Sequence, residues 1–94
     1  MKITKKDMGC WIDGSFGIDH VNKKLAELLI TNIHHHGITQ TYIINSLLNK
    51  DYAFHYDAQN DAVEILQAIC EEDVEFFWID GDLILSTCEL IGEY

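Results

Sequence analysis

The three consecutive histidines at positions 34–36 are the part of this chain that most resembles a metal-binding motif. His20 and His55 are further candidate ligands. Successive residues of a helix point about 100° apart, however, and histidines that share a metal on one helix are spaced i, i+4. We therefore interpret the run as the last turn of a helix, where imidazoles reach free carbonyl groups, and we expect no metal or other cofactor.

Candidate nucleophiles are one loop serine and the three cysteines of the chain. The serine is in the loop Gly14-Ser15-Phe16-Gly17, and the thiols are those of Cys10, Cys70 and Cys88. None lies in a GxSxG elbow, a CxxC pair or a phosphate-binding glycine loop. We predict that the chain is not an enzyme; the alternative is a small metal- or thiol-dependent enzyme whose histidines and cysteines converge only in the fold.

Charge is distributed very unevenly along the sequence. Residues 1–50 carry six Lys and four acidic residues, whereas residues 51–94 carry twelve acidic residues and no Lys or Arg, and the formal net charge is −10. Nucleic acids and anionic membranes would repel the second half. We therefore expect a basic protein as partner, with no direct binding of nucleic acid and no membrane association. The odd number of cysteines, which leaves at least one thiol unpaired, and the lack of a long apolar run predict a cytoplasmic protein.

The apolar periodicity predicts two clear helices and one ambiguous segment. The first helix covers residues 19–36, with Asp19 as N-cap and Gly37 as the C-terminal stop. Residues 38–49 fit either a strand or a helix, and we favour the helix. Residues 51–56 alternate aromatic and small side chains, which favours an extended run. The second clear helix covers residues 58–72, with Asp57 as its N-cap.

A β-hairpin is predicted near the C-terminus. Residues 74–79 and 83–87 read as strands joined by Asp80-Gly81, a dipeptide that favours a type I′ turn. In that register Trp78 faces Leu83 and Phe76 faces Leu85. The prediction is an α+β fold in which two or three helices pack on a small antiparallel sheet containing this hairpin, as a single compact domain over residues 1–94.

The other side of the hairpin is too apolar to face only solvent. It carries Glu75, Phe77, Ile79 and Ile84. A further strand, a helix or a second protein would cover such a face. Phe77, Ile79 and Ile84 are therefore candidate partner-binding residues, and a homodimer is one arrangement that would bury them.

The tetrapeptide Trp-Ile-Asp-Gly occurs twice, at residues 11–14 and 78–81. Repeat architectures need several adjacent copies, and these two copies lie far apart in the sequence. We therefore interpret both as strand ends that enter a glycine turn with an anchoring tryptophan. The alternative is a duplicated binding loop.

The acidic residues of the second predicted helix fall on one face. A helix over residues 57–72 would spread five carboxylates over about 22 Å, or one per about 4.5 Å, not far from the ~3.4 Å phosphate spacing along one DNA strand. With the two acidic residues that follow, the candidate partner-binding set is Asp57, Asp61, Glu64, Glu71, Glu72, Asp73 and Glu75. Such a row would fit a Lys/Arg groove that normally holds a nucleic-acid backbone. The alternative is a solvated helix face.

With these seven carboxylates, its small size and its lack of proline and arginine, the chain resembles the small inhibitors encoded by phages and mobile elements, including anti-CRISPR and anti-restriction proteins that mimic DNA charge. The resemblance is one of type and rests on no diagnostic motif. It implies an inhibitor of a basic nucleic-acid-binding or nucleic-acid-cleaving protein. Immunity proteins for nuclease toxins share this size and acidity, and an accessory interaction subunit is a further alternative.

Overall fold

The computed structural model describes residues 3–33, 37–49 and 55–92. Its strands are β1 (Gly9–Ile12), β2 (Glu75–Ile79) and β3 (Asp82–Ser86), and its helices are α1 (Ile18–Asn32), α2 (Ile38–Leu48), α3 (His55–Gln67) and the short α4 (Cys88–Ile91). Two 3-10 helices, Lys5–Asp7 and Gly14–Phe16, flank β1. The α+β class is thus confirmed, as is the preference for a helix over residues 38–49. No helix among these residues combines the length and apolar character that crossing a membrane requires.

The strands form one antiparallel sheet in the order β1-β3-β2, with β3 in the centre. The hairpin between β2 and β3 is confirmed: Phe76 pairs with Leu85 and Trp78 pairs with Leu83. Asp80 and Gly81 have φ angles of 51° and 86°, the two positive values that a type I′ turn requires. The turn chemistry therefore fixed the register of the hairpin.

Three helices and one face of the sheet enclose the hydrophobic core. Helix α1 packs on α2 and α3, and the sheet supplies Ile12, Leu83 and Leu85 to the same cluster. Leu25 and Leu29 of α1 are completely buried, as expected for the apolar stripe of an amphipathic helix. The apolar side of the hairpin thus packs on the helices, although Trp78 at its end stays 38% exposed.

Helix α1 begins one residue before the predicted range and ends four residues before its predicted end. Gly17 is the N-cap, and Asp19 lies inside the first turn, where a carboxylate complements the helix dipole. The helix ends at Asn32 because Ile33 turns to an extended conformation and packs against the core. Gly37 is the N-cap of α2 and not the stop of α1. The expectation that residues 34–36 form a last helical turn lies outside the described residues.

Helix α3 is displaced toward the N-terminus relative to the prediction. It begins at His55, so Asp57 lies in the first turn instead of at the N-cap, and Tyr56 is helical, not extended. The rest of the predicted extended run, residues 51–54, lies outside the described part. The helix ends at Gln67 because Ile3 takes the backbone groups that would continue it: its N–H donates to Ile69 O and its carbonyl accepts from Glu71 N, both at 2.9 Å.

The side chain of Gln67 also covers the free edge of β2. Its Nε2 donates to the carbonyl of Val74 at 3.0 Å, and its Oε1 accepts from the N–H of Phe76 at 2.8 Å. One primary amide thus takes the place of a neighbouring strand at this point. An open sheet edge is a template for pairing with another chain, so Gln67 restricts that route to association.

Candidate functional site

Four carboxylates meet at the end of the sheet where β2 begins and β3 ends. They surround a surface cavity of about 420 Å³, together with Lys5, and belong to Glu72, Asp73, Glu75 and Glu89. We call these four residues the acidic cleft. Lys5 Nζ pairs with Asp73 Oδ2 at 3.2 Å, and the other three carboxylates form no ion pair among the residues described. The cleft is therefore negative and accessible.

The N-terminal segment shapes the acidic cleft. Ile3 forms a parallel bridge with Cys70, and the backbone N–H of Lys5 donates to Glu71 Oε1 at 2.9 Å. Thr4 and Asp7 form a reciprocal capping box that holds the 3-10 helix carrying Lys5. Glu71 is thus bound to the N-terminal segment and has a structural contact that its predicted partner-binding role did not include.

A second acidic surface lies on α3. Asp57, Asp61 and Glu64 are exposed and follow the i, i+4, i+7 spacing of one helix face. We call them the acidic stripe. At 1.5 Å per residue the stripe extends over about 10 Å. None of the three forms an ion pair within the described ranges.

The prediction that five carboxylates form one continuous row on a single helix is therefore wrong. Glu71 and Glu72 follow a turn after the end of α3, so they do not continue the acidic stripe. The apolar periodicity predicted a longer helix because it depends only on nearby residues. The hydrogen bonds that end α3 come from Ile3, more than sixty positions away in the sequence. The predicted set divides into the stripe, Glu71, and three members of the cleft.

The second face of the hairpin is less accessible than its sequence suggested. Phe77 and Ile79 are half-buried, but Ile84 is only 8% exposed. Ile84 lies on the central strand between Cys10 of β1 and Phe77 of β2, and side chains paired across strands shield each other. Ile84 is thus flanked by a strand on each side and offers little surface to a partner. Phe77 and Ile79 stay predicted contact residues.

The two Trp-Ile-Asp-Gly segments meet at the opposite end of the sheet. Because β1 and β2 both run antiparallel to β3, they run parallel to each other, and the turns that follow them lie at the same end of the sheet. The backbone N–H of Gly14 donates to Asp82 Oδ1 at 2.7 Å, and a Cβ at Gly14 would overlap the carbonyl of Gly81. Both copies are strand ends that lead into a glycine, as interpreted, and they are also in contact. Trp11 packs against the core as an anchor, but Trp78 is 38% exposed.

The candidate nucleophiles do not assemble into a catalytic group in the described part of the chain. Hydrogen bonds from Ser15 to the Asp13 carboxylate lower the pKa of Asp13, so the serine contributes to a turn. Burial raises the pKa of Cys70 to about 11, with a smaller effect from Asp7. Burial also raises the pKa of Cys10, assisted by Asp82 and Asp13. Both thiols are thereby held in the protonated, less nucleophilic form.

The described histidines and acids offer no metal centre. No group of three or more His, Cys, Asp or Glu suited to a metal ion occurs in residues 3–33, 37–49 and 55–92. His20 lies beside the ring of Phe16, with ring centroids 4.9 Å apart. The histidine run at 34–36 falls outside these ranges. The carboxylates of the acidic cleft are thus arranged as a charged surface.

Sequence reasoning missed Glu89 and the contact between the two glycine turns. The signal for Glu89 was present, because the predicted register pairs Glu75 with Ser86 and so brings residues after 86 next to residues before 75. The glycine contact needed the position of β1, which no local pattern gives. Comparison with protein-family models, with curated proteins and with solved structures found no match to this chain.

Proposed function

We propose that this protein is a stoichiometric inhibitor that binds a basic nucleic-acid-binding or nucleic-acid-cleaving protein. The observation that carries the proposal is the acidic cleft, in which four carboxylates converge around a single lysine. Like charges brought together on a folded surface repel one another, and a cationic partner relieves that repulsion. Lys and Arg side chains that normally contact phosphates are suited to this role.

The acidic stripe supports the same proposal as a second patch of equal sign. Its carboxylates rise by about 6 Å and then about 4.5 Å along α3, compared with about 3.4 Å per phosphate on one DNA strand. Three charges over about 10 Å would replace a few nucleotides of backbone, not a long duplex. The mimicry is therefore limited to a short stretch of the partner's groove, with the cleft as the larger contribution.

Capture of the partner tests this proposal. The immobilised protein is exposed to a native lysate, and bound proteins are eluted first with a short DNA duplex, then with RNA, and identified by mass spectrometry. A matched resin carries the variant with Glu72→Lys and Glu75→Lys. We expect a basic nucleic-acid-binding protein that nucleic acid elutes from the parent resin and that the variant resin does not retain. Equal capture on both resins, or no elution by nucleic acid, would reject the proposal.

A further inference from the structure

A cavity of about 370 Å³ opens where the two glycine turns meet the beginnings of α1 and α3. Its walls include Gly14, Gly81, Ile18, Tyr56, Gln59 and Trp78. This volume is within the range of sites that hold small ligands or single side chains. The cavity lies at the opposite end of β2 from the acidic cleft, so it is a separate feature of the surface.

Two aromatic side chains at the cavity keep much of their surface in solvent. Trp78 is 38% exposed and Tyr56 is 70% exposed. The faces of Trp and Tyr rings attract cations through their quadrupoles, with Trp the strongest of the aromatic side chains. The aromatic lining therefore favours a planar or cationic group.

A buried amide supplies a polar atom to the same wall. Gln59 is 8% exposed, and its Nε2 donates to Oδ1 of Asn22, which is 1% exposed. The Gln59 amide oxygen has no hydrogen-bond donor among the described residues, whereas the fully buried atom without a partner in this pair is Nδ2 of Asn22. An unused acceptor in this position is suited to an N–H donor from a ligand.

The charge around the cavity selects a cation. Four aspartates are next in sequence to wall residues, at the two glycine turns and in the first turn of α3, although none of them lines the cavity itself: Asp13, Asp80, Asp82 and Asp57. The two helix N-termini contribute about half a positive charge each, which these carboxylates outweigh. None of the described lysines lines the cavity, and Lys23 lies on the wall of a different one. An anion would meet net repulsion here.

We propose that this cavity binds the guanidinium group of an arginine side chain presented by the partner protein. A guanidinium is planar, weakly hydrated and able to stack on Trp78 while it donates to a neutral acceptor such as Gln59, whereas an ammonium is more strongly hydrated. That the arginine belongs to a basic protein rests on the proposed function. The selectivity of the cavity for a guanidinium does not.

An NMR titration with two blocked amino acids tests the proposal. N-acetyl-arginine methylamide is the probe, and N-acetyl-citrulline methylamide is its uncharged isostere. We expect saturable shifts of the Gly14 and Gly81 amides and of the Trp78 indole N–H with the arginine probe, and none that saturate with citrulline. The indole of Trp11, which donates to Asp7 O outside the cavity, is the internal reference. Equal responses to both probes, or no saturable shift, would overturn the proposal.

A matched pair of tyrosine variants makes the test specific. Tyr56→Ala removes one cavity wall and should raise the half-saturation concentration of the arginine probe by about two- to five-fold. Tyr42→Ala removes a tyrosine of similar exposure on α2 and should leave it unchanged. Equal effects of the two variants would count against the cavity as the binding site.

The outcome is separable from that of the proposed function. Glu72→Lys with Glu75→Lys changes the acidic cleft and should not alter the titration with the arginine probe. If the probe binds but no basic partner is captured, the cavity proposal is supported and the proposed inhibitor function is rejected. If a partner is captured through the cleft while the probe fails to bind, the cavity proposal alone is wrong.

Discussion

The α-carbon of Gly14 lies against the carbonyl group of Gly81, which joins the two Trp-Ile-Asp-Gly turns into one unit. Any side chain at position 14 would overlap that carbonyl. Asp82 strengthens the junction by accepting a hydrogen bond from the Gly14 N–H. The repeat of four residues thus has a structural explanation: each copy ends an edge strand, and the two ends must approach closely to form the cavity.

Gly14→Ala should therefore destabilise the fold. Because backbone must move to admit the methyl group, we expect the free energy of unfolding in urea to fall by about 1–3 kcal/mol. Gly92→Ala is the control, since a Cβ there makes only ordinary contacts at a φ of −64°. Its stability should be unchanged or raised by up to about 1 kcal/mol. Equal stability of the Gly14 variant and the parent would refute the close contact.

Gln67→Ala should weaken the fold and expose the edge of β2. The variant loses two hydrogen bonds to the strand backbone, so we expect a loss of about 1–3 kcal/mol in urea unfolding. Sedimentation velocity should show more concentration-dependent association than the parent shows. Asn45→Ala, at an exposed site on α2, is the control for removal of a side-chain amide. A Gln67 variant with unchanged stability and sedimentation would contradict the assigned role.

The thiol of Cys70 should react slowly with iodoacetamide in the native protein. With its pKa raised to about 11, only about one thiol in a thousand is ionised at pH 8. Its alkylation rate should rise about ten-fold per pH unit between pH 8 and 10, because the thiolate is the reactive form. Peptide mass spectrometry gives the rate, with exposed Cys88 as the internal reference. Labelling of Cys70 as fast as Cys88 at pH 8 would be inconsistent with this environment.

On the hairpin face that carries Phe77, Ile79 and Ile84, we expect Ile84 to be needed for stability and the other two residues to be needed only for association. Ile84→Ala should lower the free energy of unfolding by about 2–5 kcal/mol because Ile84 is buried. Phe77→Ser combined with Ile79→Ser should leave the chain folded and remove any self-association seen in sedimentation equilibrium. Unfolding of this double variant would show that Phe77 and Ile79 are core residues, and the interface prediction would be withdrawn.

The sequence predicted those features that depend on local chemistry. The Asp80-Gly81 turn, the pairing of Phe76 with Leu85 and the apolar stripe of α1 follow from residue types a few positions apart. The end of α3 did not follow, because Ile3 decides it from the other end of the chain. The candidate site was predicted in part for the same reason. Three carboxylates of the acidic cleft were identified from the sequence, but their separation from the acidic stripe depends on the distant contact with Ile3.

The central claim is that the acidic cleft binds a basic partner, and calorimetric affinity for the purified captured protein tests it most directly. Glu72→Lys with Glu75→Lys should weaken binding about ten-fold or more, since like charges would face each other across the interface. Asp19→Lys with Glu27→Lys makes the same change in net charge on α1, away from the cleft, and should have a much smaller effect. Added salt should weaken binding of the parent, because the Debye length is about 8 Å at physiological ionic strength and becomes shorter as the salt concentration rises. If the cleft variant binds as tightly as the α1 variant, the cleft is not the interface and the account is wrong.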